Sequence, residues 1–405
     1  MATLKLKRGH VQAVWAGHPW VYAQAVERLQ GAAEPGDVVE LIDPHGNFLG
    51  RGFYSPSSAI VLRILSRNPE ETLDDVWVRS KLAGALAARG ELGLPNEGTT
   101  GYRLVHAEGD GLAGLIVDRL GDALVVQFLT VGMKRRQAMA LDALTDLVAP
   151  RSISDRTPTH VMQLEGFTSE RGVLCGEIGP AFEFKERGLA FSIPVEIGQK
   201  TGYYFDQRML RERIEALAPG QKVLDACTFV GSFALGVARG GAKFVLAVDE
   251  SPAALRVGQE HAERNGVSDR IEFRRGDARK VLSDEANRHA FDRVIVDPPR
   301  LAPTRANRDK ALGAYERWAQ AGCLATRKGG LLAFCSCSSA IDLYALTRAL
   351  ALGARRAGCE AIVLERHFQG PDHPVPAAFG EGLYLKALIA RIIPGGRAEV
   401  MLATA

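Results

Sequence analysis

From about residue 191 onward, apolar strand-like stretches and helical stretches alternate in a steady rhythm. "KVLDA", "FVLAVDE", "IEFRRGD", "FDRVIVD" and "GGLLAFCSC" are separated by segments such as "SFALGVARGG" and "SPAALRVGQEHAERNG". Near-continuous apolar strands need cover on both faces, and intervening helices supply it. Residues 191–405 are therefore predicted to form an α/β domain with a doubly wound, Rossmann-like parallel sheet.

At 405 residues the chain is too long for one typical core, and the first half has a different texture. "DVVELID", "FLGRGFY" and "AIVLRIL" are broken by the turn signals "PHGN" and "SPSS", which predicts a small β-barrel over residues 1–70. A connecting helix is expected over 71–99. A mixed α+β middle domain is expected over 100–190, where "GLIVDRLGDALVVQFL" is rich in strand signals. No stretch approaches the roughly 18 uninterrupted apolar residues of a membrane span, and the basic start "MATLKLKRGH" lacks the apolar core of a secretory signal. The six cysteines are scattered without zinc-site spacing, as expected for reduced thiols in a cytoplasm. The formal charge of +3 allows a polyanionic partner without requiring one.

Open α/β sheets bind ligands beyond the carboxyl ends of their strands, so each strand end is informative. The first carries Asp225, then Phe229 and Gly231 in the following loop; the GxGxxG signature of dinucleotide enzymes is absent, which disfavours a nicotinamide dehydrogenase. Asp249 ends the second, placed to accept from ribose hydroxyls, and Asp277 with Ala278 follows the third, placed near an adenine. Such aspartates also serve as helix caps. Taken in order they suit a nucleoside ligand without phosphates, and S-adenosylmethionine (SAM) is the expected cofactor, with no metal. The fourth strand ends in "DPPR": Pro298 and Pro299 have fixed φ and aim Asp297 away from the sheet.

Asp-Pro-Pro at this position resembles the base-binding motif of nucleic-acid methyltransferases. Arg300 stands where amine-methylating enzymes usually have an aromatic residue, which favours methylation of a ring carbon. Pyrimidine carbon 5 becomes nucleophilic when a thiolate adds to carbon 6, and the fifth strand ends in "CSCSS". Strand alternation puts Cys335 and Cys337 on one face and does not choose between them. Ser338 and Ser339 are expected to cap a following helix whose N-terminus would stabilise a thiolate.

Ordered motifs run nearly end to end: "GHPWVY", "GRGFYSP", "YRLVHAEGDGLAGLIVDRLGD", "GQKTGYYFDQR", "DPPR", "SCS", "DHPV" and "EGLYLK". With these the chain resembles the bacterial large-subunit (23S) ribosomal RNA cytosine-C5 methyltransferases that carry an N-terminal PUA domain. The resemblance implies that Cys337 is the catalytic nucleophile and Asp297 hydrogen-bonds the cytosine, with Pro298, Pro299 and Arg300 on the substrate side. It places Lys200, Thr201, Gly202 and Phe205 on the outer wall of the cofactor site. It makes the barrel a PUA-like RNA-binding module and 23S ribosomal RNA the partner, with no membrane and with a homodimer as an allowed assembly. The barrel's seven basic against six acidic residues do not by themselves call for RNA. No second cysteine follows Asp297 to release the product, so the proton-abstracting base is unassigned; Asp297 is within reach, and His373 and Glu381 are further candidates that serve equally as structural residues. An RNA uracil-C5 enzyme and a non-catalytic RNA-binding protein with a relic SAM fold are the alternatives.

Overall fold

The structure, a computed structural model, describes residues 1–197, 202–302 and 307–395. It divides into two compact units: Met1–Asp206 with Gly370–Gly382, and Gln207–Gln369 with the chain from Leu383 onward. The first unit thus contains the sequence-predicted barrel, connecting helix and middle domain together. It also takes in residues 191–206 and 370–382, which the segmentation had assigned to the catalytic domain.

The physical reasons for those two additions are visible inside the first unit. The hairpin Ala181–Glu186 and Leu189–Pro194 buries Phe184 and Phe191, and Tyr203 and Phe205 pack on them with ring centroids 5.0–5.4 Å apart. The 370–382 segment is held by charge and hydrogen bonds. Buried Arg89 donates to both carboxylate oxygens of Asp110 (2.6 and 2.8 Å) and to the Asp372 carbonyl (2.9 Å). The Arg103 amide donates to Asp372 Oδ2 (3.1 Å). Paired and hydrogen-bonded, such buried charges are strongly destabilising to break.

The N-terminal part is a six-stranded sheet from Ala2–Leu6 to Ile60–Ser66 around Leu4, Leu6, Val39, Leu41 and Leu62. The helix Asp75–Glu91 follows; the Asp74 side chain caps it by accepting from the Trp77 amide. Beyond it lies a five-stranded mixed sheet from Gly101–His106 to Gly172–Gly176, cored by Leu124, Val126 and Phe128.

The second unit is built on seven strands: β1 (Lys222–Ala226), β2 (Phe244–Asp249), β3 (Ile271–Arg275), β4 (Phe291–Val296), β5 (Thr326–Ser336), β6 (Cys359–His367) and β7 (Lys386–Pro394). Their order is β3-β2-β1-β4-β5-β7-β6. Strands β1 to β5 are parallel, and β7 runs antiparallel to both β5 and β6. This is the predicted doubly wound sheet with an antiparallel tail that the five strand signals did not include. Helices α1 (Arg208–Ala216), α2 (Ser232–Arg239), α3 (Pro252–Arg264), α4 (Ala278–Ser283), α5 (Arg308–Ala325) and α6 (Leu343–Arg356) complete the layers. Strand β4 shows why the pattern reads as parallel: Val294, Ile295 and Val296 are all buried, so both faces are covered. Helices α5 and α6 meet at Gly353, where an added Cβ would lie 2.5 Å from the Ala319 Cβ and 2.7 Å from backbone atoms of α5.

Candidate active site

The order change in the sheet falls between β1 and β4, and the candidate residues gather at the carboxyl ends of the strands around it. Asp225 is not at the tip of β1 but one residue inside it, only 1% exposed. Its Oδ2 accepts from Thr228 Oγ1 (2.5 Å) and the Ala234 amide (3.1 Å), which ties the loop after β1 to the start of α2. Its Oδ1 is buried with no hydrogen-bond partner among the described residues. Burial is the main reason its pKa is pushed up to about 7. Within the same loop Cys227 and Phe229 hold left-handed backbone, φ 66° and 52°. Non-glycine residues pay for that conformation with roughly 1–3 kcal/mol each, and such positions cluster at ligand sites.

Asp249 closes β2 as predicted, yet both of its oxygens already hold loops: Oδ2 accepts from the Phe229 amide and Oδ1 from the Ser251 amide, each at 2.9 Å. A carboxylate oxygen has two lone pairs, so each retains capacity for a ribose hydroxyl. Asp277 lies two residues past β3 and is the cap of α4, its Oδ1 accepting from the Arg279 and Lys280 amides. Ala278 is buried among Leu224, Leu246 and Val248, so its methyl belongs to the core. Gly231, expected to let the backbone approach a ligand closely, has a φ of +81°, which favours glycine, and a Cβ there would sit 3.2 Å from the Phe273 ring. Packing of the loop is thus a second reason for a glycine at this position.

Lys200 and Thr201 lie outside the described residues. Gly202 and Phe205 belong to the first unit, where Phe205 is buried in the aromatic cluster described above. His373 and Glu381 also belong to that unit. His373 Nδ1 lies 3.1 Å from Asp372 Oδ1, and Glu381 pairs with His18 at 3.2 Å.

At the end of β4, Asp297 is half-buried and its Oδ2 accepts from Gln207 Nε2 (3.0 Å). Pro298 is buried, while Pro299 and Arg300 are exposed. Val296 pairs with Phe334 of β5, so Asp297 and the two cysteines emerge side by side. The thiols occupy different environments. Cys335 is 0% exposed, and burial first, then the nearby Asp297 charge, pushes its pKa well above that of an ordinary thiol. Cys337 is the first residue past β5 and is only partly buried. Its neighbours Ser336 and Ser338 are buried and share one anchor. Ser336 Oγ donates to the Tyr315 hydroxyl (2.8 Å), which lies 3.2 Å from Ser338 Oγ. Ser338 Oγ also accepts from the Ala302 amide (3.2 Å). The flanking serines thus fix the backbone of the segment that presents Cys337.

The expected helix cap is not there. Helix α6 starts at Leu343 and its cap is Asp342, whose Oδ1 accepts from the Ala345 amide (2.7 Å). Ser338 instead serves Tyr315, and the helix begins too late for its N-terminal amides to reach Cys337 through the predicted capping geometry. Sequence reasoning missed Gln207, Tyr315 and Lys386. Polar residues flanking a cysteine in an apolar strand were the signal for the serine anchor; nothing local marked the others.

The chain's donors and acceptors fit a nucleoside cofactor at the β1 and β2 ends. The orphaned Oδ1 of Asp225 is a buried acceptor that a cationic or hydroxylated ligand would satisfy, and Asp249 has acceptor capacity at the neighbouring strand. Comparison with known proteins agrees. Residues 4–67 match the PUA-like domain family, and residues 103–378 match the S-adenosylmethionine-dependent methyltransferase family. Ribosomal RNA large subunit methyltransferase I of Erwinia tasmaniensis is 35% identical over 96% of this chain and 99% of its own length. The protein of the same name from Escherichia coli K12 is 33% identical over 96% and 99%. Among solved structures, a candidate SAM-dependent methyltransferase from Streptococcus mutans shares the fold with a TM-score of 0.82, at 18% identity over 96% of this chain and 100% of that one. The chain belongs to the S-adenosylmethionine-dependent methyltransferase family, in the group that includes the proteins named ribosomal RNA large subunit methyltransferase I.

Proposed function

We propose that this SAM-dependent enzyme forms 5-methylcytosine in 23S ribosomal RNA, with Cys337 as the attacking thiol and the PUA-like barrel as an RNA contact, in the cytoplasm. The observation that carries the reading is the contrast between the thiols at the end of β5. Cys335 is sealed and held protonated, whereas Cys337 is accessible beside Asp297. The relatives' name, ribosomal RNA large subunit methyltransferase I, supports a ribosomal RNA substrate.

Bound SAM supplies an electrophilic methyl group. The Cys337 thiolate adds to carbon 6 of the pyrimidine, which makes carbon 5 nucleophilic; once carbon 5 is methylated, loss of its proton and expulsion of the thiolate restore the aromatic ring. Gln207 holds one oxygen of Asp297, which orients the carboxylate for the exocyclic amine of cytosine; uracil has a carbonyl there and offers no such donor. Pro298, Pro299 and Arg300 form the adjoining substrate side. The SAM contacts are assigned to Asp225, Phe229, Asp249, Asp277 and Ala278, with Gly231 shaping the loop, and Lys200, Thr201, Gly202 and Phe205 remain a proposed outer wall. Barrel, connecting helix and middle segment are retained as a proposed subdivision of the first unit.

The test is mass-spectrometric mapping of 23S ribosomal RNA from a strain lacking this gene and from the same strain complemented. One 5-methylcytosine should vanish and return. Loss of a 5-methyluridine instead would replace the base assignment, and no change in either would remove the reading.

A further inference from the structure

Lys386 is a buried cation that the chemistry above does not use. It is the first residue of β7, it pairs in register with Ser336, and it is 4% exposed. Its Nζ donates to the carbonyls of Ser338 and Tyr384, both at 3.2 Å. Cys337 stands between Ser336 and Ser338, so the lysine stem runs beside one neighbour of the thiol and its ammonium is fastened to the other. Two carbonyls are neutral acceptors. A buried ammonium needs an anion as well, or it gives up its proton.

Among the described residues, several charged and titratable groups act on this pair. Asp342 and Cys337 act on Lys386 in the direction that keeps its proton. Asp342 is already committed to the α6 cap and lies near Arg308, with its side chain 65% exposed. Cys337 also acts on Tyr315 and Cys335, both held neutral chiefly by burial, and the Asp297 charge acts on the same two groups. Of the two groups that favour the charged lysine, Asp342 has the larger effect, and Cys337 is the half-buried one, flanked by the residues that Lys386 pairs with and donates to.

We propose that Lys386 is a positioning residue for the nucleophile: anchored on the Ser338 and Tyr384 carbonyls, its ammonium supplies the positive charge that holds Cys337 as a thiolate. This rests on Cys337 being the attacking thiol. It replaces the helix N-terminus, which starts only at Leu343, as the source of activation. Burial brings the Lys386 pKa down to about 8, so the ammonium is the main form at neutral pH and loses its proton just above it. Activity should accordingly need a thiolate and a charged lysine together.

The experiment is the pH dependence of iodoacetamide alkylation at Cys337 in the full-length protein, read by mass spectrometry of its peptide so that the other thiols do not interfere. Wild type should show a midpoint below the ordinary thiol value of about 8.5. Lys386→Met should raise that midpoint by about one pH unit or more, and Lys386→Arg, which keeps the charge, should stay near wild type. In parallel, Lys386→Met should lower kcat for RNA methylation at least tenfold at neutral pH, recover as pH rises, and leave SAM affinity unchanged. A merely structural lysine would change thermal stability without moving the alkylation midpoint. An unchanged midpoint in Lys386→Met overturns the proposal. Should that variant not fold, a wild-type midpoint at or above 8.5 overturns it alone. If the midpoint shifts as expected but wild-type enzyme forms no adduct with RNA carrying 5-fluorocytosine, the coupling stands and the role of Cys337 as nucleophile falls.

Discussion

Replacing Asp225 by asparagine should stabilise the second unit in mild alkali and destabilise it in mild acid. The carboxyl group is lifted from its usual 3.8 to about 7, with burial as the largest cause. Between those two values the folded state keeps a proton that the unfolded chain has released. Stability from this group is complete below pH 3.8 and is lost as pH rises through 7. At about 1.4 kcal/mol per pH unit the full loss is on the order of 4 kcal/mol. Asparagine does not ionise. Its oxygen keeps the bonds from Thr228 and Ala234, but its amide group puts an N–H donor where Oδ1 has no partner, at a cost of about 1–3 kcal/mol. The variant should therefore be less stable than wild type at pH 4 and more stable at pH 8, with the difference changing by roughly 4 kcal/mol between them. Hydrogen exchange of the slowest β1 amides under mild denaturant measures this locally, without relying on one transition for two units. SAM carries positive charge, so wild-type affinity should also rise from pH 6 to pH 8 as Asp225 ionises, and the asparagine variant should lose that slope. Stability profiles that stay parallel across pH would refute the assignment of a buried, proton-retaining carboxyl at this position.

Asp249→Ala should weaken SAM at least tenfold by calorimetry, since it removes a ribose acceptor and also frees the Phe229 and Ser251 amides; unchanged affinity would place the ribose elsewhere. Tyr315→Phe should leave the hydroxyls of Ser336 and Ser338 without their shared anchor, lowering stability by about 1–3 kcal/mol and slowing methyl transfer in single-turnover assays. Gly353→Ala in α6 should lower stability by about 1–3 kcal/mol through overpacking, read as a lower denaturation midpoint, even though alanine is the better helix former; a stabilised variant would mean α5 and α6 can separate.

The strand-and-helix rhythm disclosed the doubly wound sheet because parallel strands are buried on both faces, and β4 with "VIV" is the plainest case. The acidic residues at or near the ends of β1, β2 and β4 were visible as breaks in apolar runs, but such residues also cap helices and tie loops, as Asp277 and Asp249 do. What failed was finer. In "SSAIDLYAL" both serine and aspartate are good caps, and the choice of Asp342 depends on where α6 turns to pack on α5, which is tertiary. The packing role of Gly231 was not legible either, because the Phe273 ring beside it comes from β3. Lys386 and Gln207 fell within the quoted motifs "EGLYLK" and "GQKTGYYFDQR", but their roles were not legible, because their partners Ser338 and Asp297 lie 48 and 90 residues away in sequence. The compact units also cut across the linear segmentation, since residues 370–382 leave the catalytic sheet between β6 and β7 and are fixed in the first unit by Arg89 and Arg103.

The central claim is that one of two neighbouring thiols attacks the base. RNA bearing 5-fluorocytosine at the target has no carbon-5 proton to lose, so an enzyme that adds through sulfur remains joined to it. Wild type and Cys335→Ala should form this adduct, Cys337→Ala should not while still binding SAM, and peptide mapping should place the RNA on Cys337. An adduct on Cys335, or none from an enzyme that methylates normal RNA, would contradict the account.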